Sequence, residues 1–149
     1  MSNALRLATP EDRSAVEAIV EAAYKHYIVR LGRKPGPMLD DYGTLIAAGR
    51  VRVMDCDGEL KGLLVLIPEA DAMLLDNVAV HPSAQGTGLG RQMMLFAEQA
   101  ARDAGYKAIR LYTNVVMTEN IALYTRAGYV ETHRGVEKGL HRVYMTKSL

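Results

Sequence analysis

The sequence predicts one α/β (α+β) domain over residues 1–149, with a mixed, mostly antiparallel sheet of about six or seven strands and about four flanking helices. Strand and helix patterns follow one another in the order strand, two helices, three strands, helix, strand, helix, two strands. The three central strands are separated by short turns and should pair antiparallel, whereas the strand–helix–strand unit after them should pair parallel. The sequence therefore predicts a sheet that contains both antiparallel and parallel pairs of strands.

The first third of the chain predicts one strand and two helices. Residues 4–8 alternate in polarity and predict a short strand. Residues 9–12 (TPED) predict a helix start, with an N-cap threonine, proline at the first position and acids in the first turn, and an apolar face continues to about Val29. Residues 30–38 contain two glycines and two prolines and predict an irregular segment, before a short helix over residues 39–48.

The rest of the chain predicts the other strands and helices. Asp57-Gly58 is a strong hairpin turn between two of these strands. Residues 135–140 (GVEKGL) are expected to form a loop between the last two strands. The strands are expected at residues 51–56, 60–67, 73–80, 108–113, 130–134 and 142–147, and the helices at residues 89–104 and 119–126.

Composition excludes several classes of protein. Eighteen basic and seventeen acidic side chains leave a net charge of +1, which gives no case for a nucleic-acid partner. The single cysteine, Cys56, excludes an internal disulfide framework and a Cys-based metal cluster. No apolar run is long enough to span a bilayer, and the N-terminus lacks the pattern of a signal peptide. A cytoplasmic protein without a nucleic-acid or membrane partner is expected.

Residues 73–91 (MLLDNVAVHPSAQGTGLGR) are the stretch best suited to chemistry, because a strand, a glycine-rich loop and a helix follow one another there. Gly86, Gly88 and Gly90 stand at alternate positions just before the helical pattern begins. Glycine tolerates positive φ and carries no Cβ that would hold a ligand away from the backbone. Free backbone N–H groups at a helix N-terminus favour negative charge. The stretch therefore predicts an anion-binding loop.

The spacing of the glycines separates three kinds of anion-binding loop. The phosphate-binding loop of nucleotide hydrolases requires GxxxxGK[ST], and no Lys–Ser/Thr pair follows these glycines. The dinucleotide fingerprint requires GxGxxG near the start of a βαβ unit, whereas this loop is GxGxG in mid-chain. Both nucleotide loops are excluded.

The motif QGTGLG (residues 85–90) resembles the Q/R-x-x-G-x-G/A signature of the GNAT superfamily of acyl-CoA-dependent N-acyltransferases. The upstream segment LDNVAVHP (residues 75–82) is similar to the family's fourth strand. Downstream, ENIALY (residues 119–124) followed by AGY (residues 127–129) is similar to the family's N-x-A-x-x-x-Y-x-x-x-G-[FY] region. The resemblance extends over essentially the whole chain and implies a sheet that splays at the strand before the glycine loop.

The resemblance implies acetyl-CoA as co-substrate and no metal. The strand before the loop is expected to pair with the pantetheine amides through its backbone, and the loop to bind the pyrophosphate through its own backbone amides. The implied cofactor-binding residues are Val78, Ala79 and Val80 on the strand, Gln85, Gly86, Thr87, Gly88, Leu89, Gly90 and Arg91 on the loop, and Asn120 on the later helix.

Transfer of an acyl group to an amine needs two proton movements. Tyr124 matches the family's general-acid tyrosine, which protonates the leaving thiolate, although it could also be an aromatic side chain packed on the sheet. Asp76 is a carboxylate in an apolar strand, where an isolated buried charge is costly. It could be the general base, a contact for the substrate ammonium, or half of a structural pair. Alternation along the strand predicts that Asp76 shares a face with Val78 and Val80, with Asn77 on the other face.

The resemblance implies an acceptor site that is built largely from the first two helices, the loop that connects them, and the last strands. The candidates for substrate contact are Tyr27, Arg30 and Arg33, with Tyr24, Tyr42, Tyr112, Arg142 and Tyr144 nearby. Two arginines there would suit a carboxylate or phosphate on the acceptor, and the alternative for either one is a solvated surface charge. The predicted activity is acetyl transfer to the primary amine of a small molecule by direct attack in a ternary complex, with a homodimer allowed. The alternatives are a protein or peptide N-acetyltransferase and a non-catalytic acyl-CoA-binding module.

Overall fold

The computed structural model of the chain describes residues 3–149. Seven strands form one sheet in the order β1-β2-β3-β4-β5-β7-β6, and only the β4–β5 pair is parallel. The predicted mixed, mostly antiparallel fold is confirmed. The strands are β1 (Asn3–Leu7), β2 (Val51–Cys56), β3 (Glu59–Pro68), β4 (Met73–Val80), β5 (Ala108–Asn114), β6 (Val130–Glu137) and β7 (Leu140–Ser148). The α-helices are α1 (Arg13–Tyr24), α2 (Tyr27–Leu31), α3 (Tyr42–Ala47), α4 (Leu89–Asp103) and α5 (Thr118–Arg126).

The sheet opens between β4 and β5. The two strands pair only at Met73 with Ile109 and at Leu74 with Arg110. Beyond these two pairs, the rest of β4 has no partner on its β5 side among residues 3–149. The predicted splay at the strand before the glycine loop is therefore present, and it leaves backbone groups of β4 open to a ligand.

A β-bulge interrupts β4 at Asp76. Val65 of β3 pairs with Asn77, and the next residue, Leu66, pairs with Leu75. Asp76 is the extra residue and has no counterpart in β3. Such a bulge bends the strand and re-aims the side chains that follow it.

The bulge overturns the alternation predicted for this strand. Leu75 and Val78 pack against the same apolar cluster although three positions separate them, which strict alternation forbids. Asp76 bonds instead to Tyr112, which lies outside that cluster. The prediction that Asp76 shares a face with Val78 and Val80 is wrong, because the register shift inverts the faces between Leu75 and Val78.

Each face of the sheet carries an apolar core. The α4 and α5 side is built on residues such as Leu64, Met93 and Ile109, and the α1 and α3 side on residues such as Val16 and Leu63. The amphipathic helices bury their apolar sides in these two cores, so the sheet lies between two layers of helices. Among the described helices, none is both long and apolar enough to cross a membrane.

Predicted bounds differ from the structure in the first helix, in the last hairpin, and in the helix expected over residues 39–48, which begins only at Tyr42. The first helix was expected to run to about Val29. The Lys25 carbonyl instead accepts from the Ile28 N–H, only three residues further on, at 3.1 Å, and a separate helix, α2, follows. This break accounts for five helices rather than about four. Residues 135–140 were expected to be a loop, but β6 and β7 extend into them. Lys138 and Gly139 (φ 51° and 77°) supply the two positive φ angles that a tight hairpin needs.

Candidate active site

One cavity of about 660 Å³ lies beside the open edge of β4. The loop between α2 and α3 walls one side of it, and the β6–β7 hairpin contributes Lys138 and Leu140. The cavity brings together side chains from α1, α2, β4, β5, α5 and β7 and from the loop between α2 and α3. Its polar lining includes Tyr24, Asp40, Asp76, Tyr112, Asn120 and Tyr124.

Tyr124 reaches the cavity from α5. Its side chain is buried, and its ring packs against that of Tyr129 with 6.1 Å between centroids. The Tyr124 hydroxyl has no hydrogen-bond partner in the described part of the chain. Burial, followed by the nearby Tyr27, raises the pKa of Tyr124 well above its usual range. The phenol therefore stays protonated at neutral pH and is available as a proton donor.

The bulge turns Asp76 toward the same cavity. The Tyr112 hydroxyl donates a hydrogen bond to Asp76 Oδ1 at 3.0 Å. Desolvation raises the pKa of Asp76, and this effect outweighs the hydrogen bond from Tyr112 and the attraction of Arg142, which lower it. A carboxylate with a raised pKa can accept a proton or hold an ammonium group.

Asp40 is a second cavity carboxylate that sequence reasoning missed. The cavity wall removes part of the water around the Asp40 carboxylate, although the residue remains accessible. This desolvation, together with repulsion from Asp76, raises the pKa of Asp40 to about 6. Its neighbour Asp41 caps α3 by accepting from Thr44 N–H at 3.1 Å. Two consecutive acids before a short helix were the available signal, because only one of them can be the N-cap.

The glycine loop has the backbone of an anion site. Gly86 and Gly88 adopt positive φ (79° and 84°), and a Cβ added at either would meet no atom within 4 Å. The backbone N–H groups of Gly86 to Arg91 donate to no backbone carbonyl within residues 3–149, while Gln85 N–H donates to Pro82 at 3.3 Å. Six consecutive amides without a backbone partner at the start of α4 can donate to a negatively charged group.

The backbone of β4 near the loop is partly engaged. The Tyr24 hydroxyl, whose single proton goes to Asn77, lies 3.2 Å from the Val78 carbonyl, and the Gln85 side-chain amide donates to the Val80 carbonyl at 3.3 Å. Ala79 lies in the apolar core on the α1 side. These contacts engage two carbonyls in the stretch of β4 that does not pair with β5.

Asn77 is a structural residue between α1 and α3. Its side chain is buried, accepts from the Tyr24 hydroxyl at 2.6 Å and donates to the Tyr42 hydroxyl at 3.1 Å. Tyr42 in turn donates to the Pro37 carbonyl at 2.5 Å. This chain of hydrogen bonds anchors the loop before α3 to the strand that carries Asp76.

The three predicted acceptor contacts separate in the structure. Tyr27 and Arg30 both bond to the Glu119 carboxylate, at 3.1 and 2.7 Å, and do not line the cavity. The two bonds tie α2 to the start of α5. Arg33 does line the cavity, and its guanidinium donates to the Lys138 carbonyl at 2.5 Å. Asn120 lines the cavity one turn before Tyr124, and its amide faces the Met117 sulfur at 3.8 Å.

The described residues contain no group of three or more His, Cys, Asp or Glu side chains positioned to hold a metal ion. The polar groups in the cavity are phenols, carboxylates, amides and cations. Such groups can bind polar ligands and move protons at the positions given above.

Comparison with known proteins agrees with this geometry. The model of the acetyltransferase (GNAT) domain matches residues 47–131, which include β4, the glycine loop and α5. The uncharacterized N-acetyltransferase YjgM of Escherichia coli is 27% identical over 137 residues, covering 86% of this chain and 82% of that protein. The aminoalkylphosphonate N-acetyltransferase of Salmonella typhimurium is 32% identical over 66 residues, covering 44% of this chain and 43% of that protein.

The fold has close structural counterparts as well. The PaiA N-acetyltransferase of Thermoplasma acidophilum, solved in complex with coenzyme A, superimposes with a TM-score of 0.83 at 16% identity and full coverage of both chains. The likeness of fold agrees with the domain match, which spans more than half of the residues and contains both the loop and the tyrosine helix. The chain belongs to the GNAT family of acetyltransferases.

Proposed function

We propose that this acetyltransferase moves an acetyl group from acetyl-CoA to the primary amine of a small molecule, by direct attack within a ternary complex. The observation that carries the proposal is the meeting of the Tyr124 hydroxyl and the Asp76 carboxylate in one cavity beside the open edge of β4. One of these groups can donate a proton and the other can accept one, which are the two movements that the reaction needs.

Acetyl-CoA is the proposed co-substrate because the anion site and the open strand edge lie in one continuous stretch. The six free amides of Gly86 to Arg91 suit the pyrophosphate, and the unpaired edge of β4 suits the pantetheine amides. A neighbour of the same fold was solved with coenzyme A. Bound in this way, the thioester would lie at the end of the cavity near Tyr124.

The proposed reaction combines one acyl transfer with the loss of two protons from the amine nitrogen and the gain of one proton by the thiolate. The substrate ammonium loses a proton to Asp76 or to water, and the amine nitrogen attacks the thioester carbonyl carbon. Backbone N–H groups of β4 stabilise the developing oxyanion. The C–S bond then breaks, and the thiolate takes the proton of the Tyr124 hydroxyl. The nitrogen, which is cationic after the attack, gives its second proton to solvent as the adduct collapses. Solvent returns one proton to the Tyr124 phenolate, so the complete reaction releases one proton.

A small acceptor is favoured over a protein chain because the cavity is walled on its outer side. Arg33 bonds to the Lys138 carbonyl, which joins the loop after α2 to the β6–β7 hairpin. Tyr42 holds the same loop through Pro37. A peptide would need an open groove with exposed backbone-binding groups, and these contacts favour a walled cavity instead.

Thiol release from acetyl-CoA in the presence of an amine panel tests the proposal directly. The panel contains alkylamines, amino acids and aminoalkylphosphonates, together with peptides that carry a free N-terminus or a lysine. We expect turnover with small amines and none above background with peptides. Turnover of peptides alone would contradict the small-molecule assignment, and coenzyme A binding without turnover of any amine would indicate a binding module.

Gly86→Asp should weaken coenzyme A binding by at least about tenfold relative to Gly86→Asn. Both side chains tolerate the positive φ of this position and both fit the open space around it, so the two variants differ in charge alone. A carboxylate beside the free amides would repel the pyrophosphate. Isothermal titration calorimetry at low and high salt measures the difference, which should shrink as salt screens the charges. Equal affinities of the two variants would place the pyrophosphate elsewhere.

The pH dependence of kcat/KM identifies the base. If Asp76 takes the proton of a bound ammonium, kcat/KM rises with pH and then becomes flat above the raised pKa of Asp76, because the carboxylate is then fully charged. Asp76→Asn must use the free amine, so its kcat/KM should be lower and should keep rising toward the pKa of the amine.

Asp40→Asn is the matched control for this profile, since the pKa of Asp40 near 6 could produce a similar bend. The bend should survive in Asp40→Asn. If the bend is lost in Asp40→Asn but kept in Asp76→Asn, Asp40 rather than Asp76 is the base.

A further inference from the structure

Most of the charges that line the cavity fall into two groups. The exception is Arg142, which lies over the Tyr112 ring and is paired with Glu137. Asp40 and Asp76 lie in the part of the cavity next to Tyr112. Arg33, Lys34 and Lys138 line it where the loop after α2 meets the β6–β7 hairpin. Repulsion from Asp76, rather than attraction to a cation, is the charge effect that acts on Asp40. The cavity therefore has an acidic part and a basic part.

The three basic side chains have no acidic partner in the part of the chain that the structure describes. Arg33 donates to a backbone carbonyl, and the side chains of Lys34 and Lys138 make no ion pair within residues 3–149. Nearby cations are paired: Arg30 bonds to Glu119, and the cavity residue Arg142 bonds to Glu137, each at 2.7 Å.

Three like charges at one end of a cavity repel one another, and an anion placed among them relieves that repulsion. Arg33 is held in place by its bond to the hairpin, so its remaining guanidinium donors are oriented before a ligand arrives. Gly139, which turns that hairpin, lies against the Arg33 guanidinium: a Cβ added to it would stand 3.8 Å from both terminal nitrogens. The hairpin and the arginine therefore form one surface.

We propose that the acceptor is zwitterionic: a small primary amine whose other end carries an anionic group, bound by Arg33, Lys34 and Lys138 while the ammonium faces Asp76 and Asp40. The inference rests on the proposed N-acetyltransferase function and adds the charge of the acceptor. A carboxylate, a phosphate and a phosphonate share the required chemistry. A cavity of about 660 Å³ has room for such a molecule beside the end of the co-substrate.

Matched acceptors test the inference. We compare kcat/KM for 3-aminopropylphosphonate and 4-aminobutanoate with that for butylamine, which has the same amine and alkyl chain but no charge at the far end. The anionic acceptors should be favoured by at least about tenfold, because charge-assisted hydrogen bonds are the strong ones. The phosphonate and carboxylate arms show which anion the basic end prefers.

The double variant Lys34→Gln/Lys138→Gln, which keeps Arg33, should lower that ratio by at least about threefold, since both side chains contribute charge and neither holds another element in place. Lys25→Gln removes an equal kind of charge from an exposed position outside the cavity and should keep the wild-type ratio. A ratio near one in the wild-type protein, or an unchanged ratio in the double variant, would overturn the inference.

Equilibrium binding separates this inference from the proposed function. Isothermal titration calorimetry of 3-aminopropylphosphonate and of butylamine, with coenzyme A present, needs no turnover. Preferential binding of the phosphonate that the double variant loses supports the zwitterionic acceptor even if no thiol is released. Turnover of butylamine equal to that of the anionic amines refutes the zwitterionic acceptor while leaving the N-acetyltransferase function intact.

Discussion

Tyr124→Phe is expected to lower kcat for amine acetylation by about a hundredfold or more, while the dissociation constant of coenzyme A stays within about twofold of wild type. The substitution removes only the hydroxyl that faces the cavity without a protein partner. The leaving thiolate must then take its proton from water, and proton transfer by a positioned side chain is typically worth about 10²–10⁴ in rate. Steady-state thiol release and calorimetric titration of coenzyme A measure the two quantities.

Tyr129→Phe is the matched control. The two tyrosines are neighbours, both buried, and their rings pack together, but the Tyr129 hydroxyl is enclosed without a partner and does not line the cavity. Removing an unsatisfied buried hydroxyl should leave kcat unchanged and should not destabilise the fold. Equal losses of kcat in both variants would assign the effect to packing, and full turnover in Tyr124→Phe would refute its role as acid.

The effect of Tyr124→Phe should persist to high pH. Because burial raises the pKa of Tyr124, its hydroxyl remains protonated well above neutral pH, and no loss of activity on the alkaline side should come from its ionisation near 10. Pre-steady-state thiol release across this range checks the point. An alkaline loss of turnover near pH 10 that is absent in Tyr124→Phe would contradict it.

The sequence predicted those parts of the site that depend on local pattern. The bounds of β4 agree with the apolar run from Met73 to Val80, and the glycine loop follows it as expected. Tyr124 could be placed one turn after Asn120 because both lie on one short helix. Period, turn residues and spacing are sufficient for such features because each depends on only a few neighbouring positions.

Features that depend on pairing between distant segments could not be predicted. The bulge at Asp76 exists only in the register between β3 and β4, and no local pattern in β4 marks it. Arg30 was predicted as an acceptor contact from its place in the chain, whereas its bond to Glu119, 89 positions away, has no local signal. The basic end of the cavity was missed for the same reason, since Lys138 reaches it only because the last two strands extend into a tight hairpin.

Lys147→Met is expected to lower the free energy of unfolding by about 3 kcal/mol, the lower end of the range for breaking a buried ion pair. The Lys147 ammonium lies 2.7 Å from the Glu98 carboxylate and also donates to the Ala127 carbonyl at 2.7 Å. The Glu98 side chain is only 4% exposed, and its other cation, Arg102, is 3.9 Å away. Without Lys147, the carboxylate on α4 is left buried with a weak partner.

The same pair connects the two halves of the site, which gives the prediction a second consequence. Lys147 of β7 joins α4, which begins at the glycine loop, to the carbonyl of Ala127 just after the helix that carries Tyr124. In urea unfolding, the double variant Glu98→Leu/Lys147→Met should regain most of the unfolding free energy that Lys147→Met loses, because removing both charges leaves no buried ion. The control variant Lys25→Met should be as stable as wild type. If the double variant regains stability but not turnover, the ion pair also sets the spacing between loop and tyrosine. If Lys147→Met is as stable as wild type, Arg102 has moved in to compensate and the pair is dispensable.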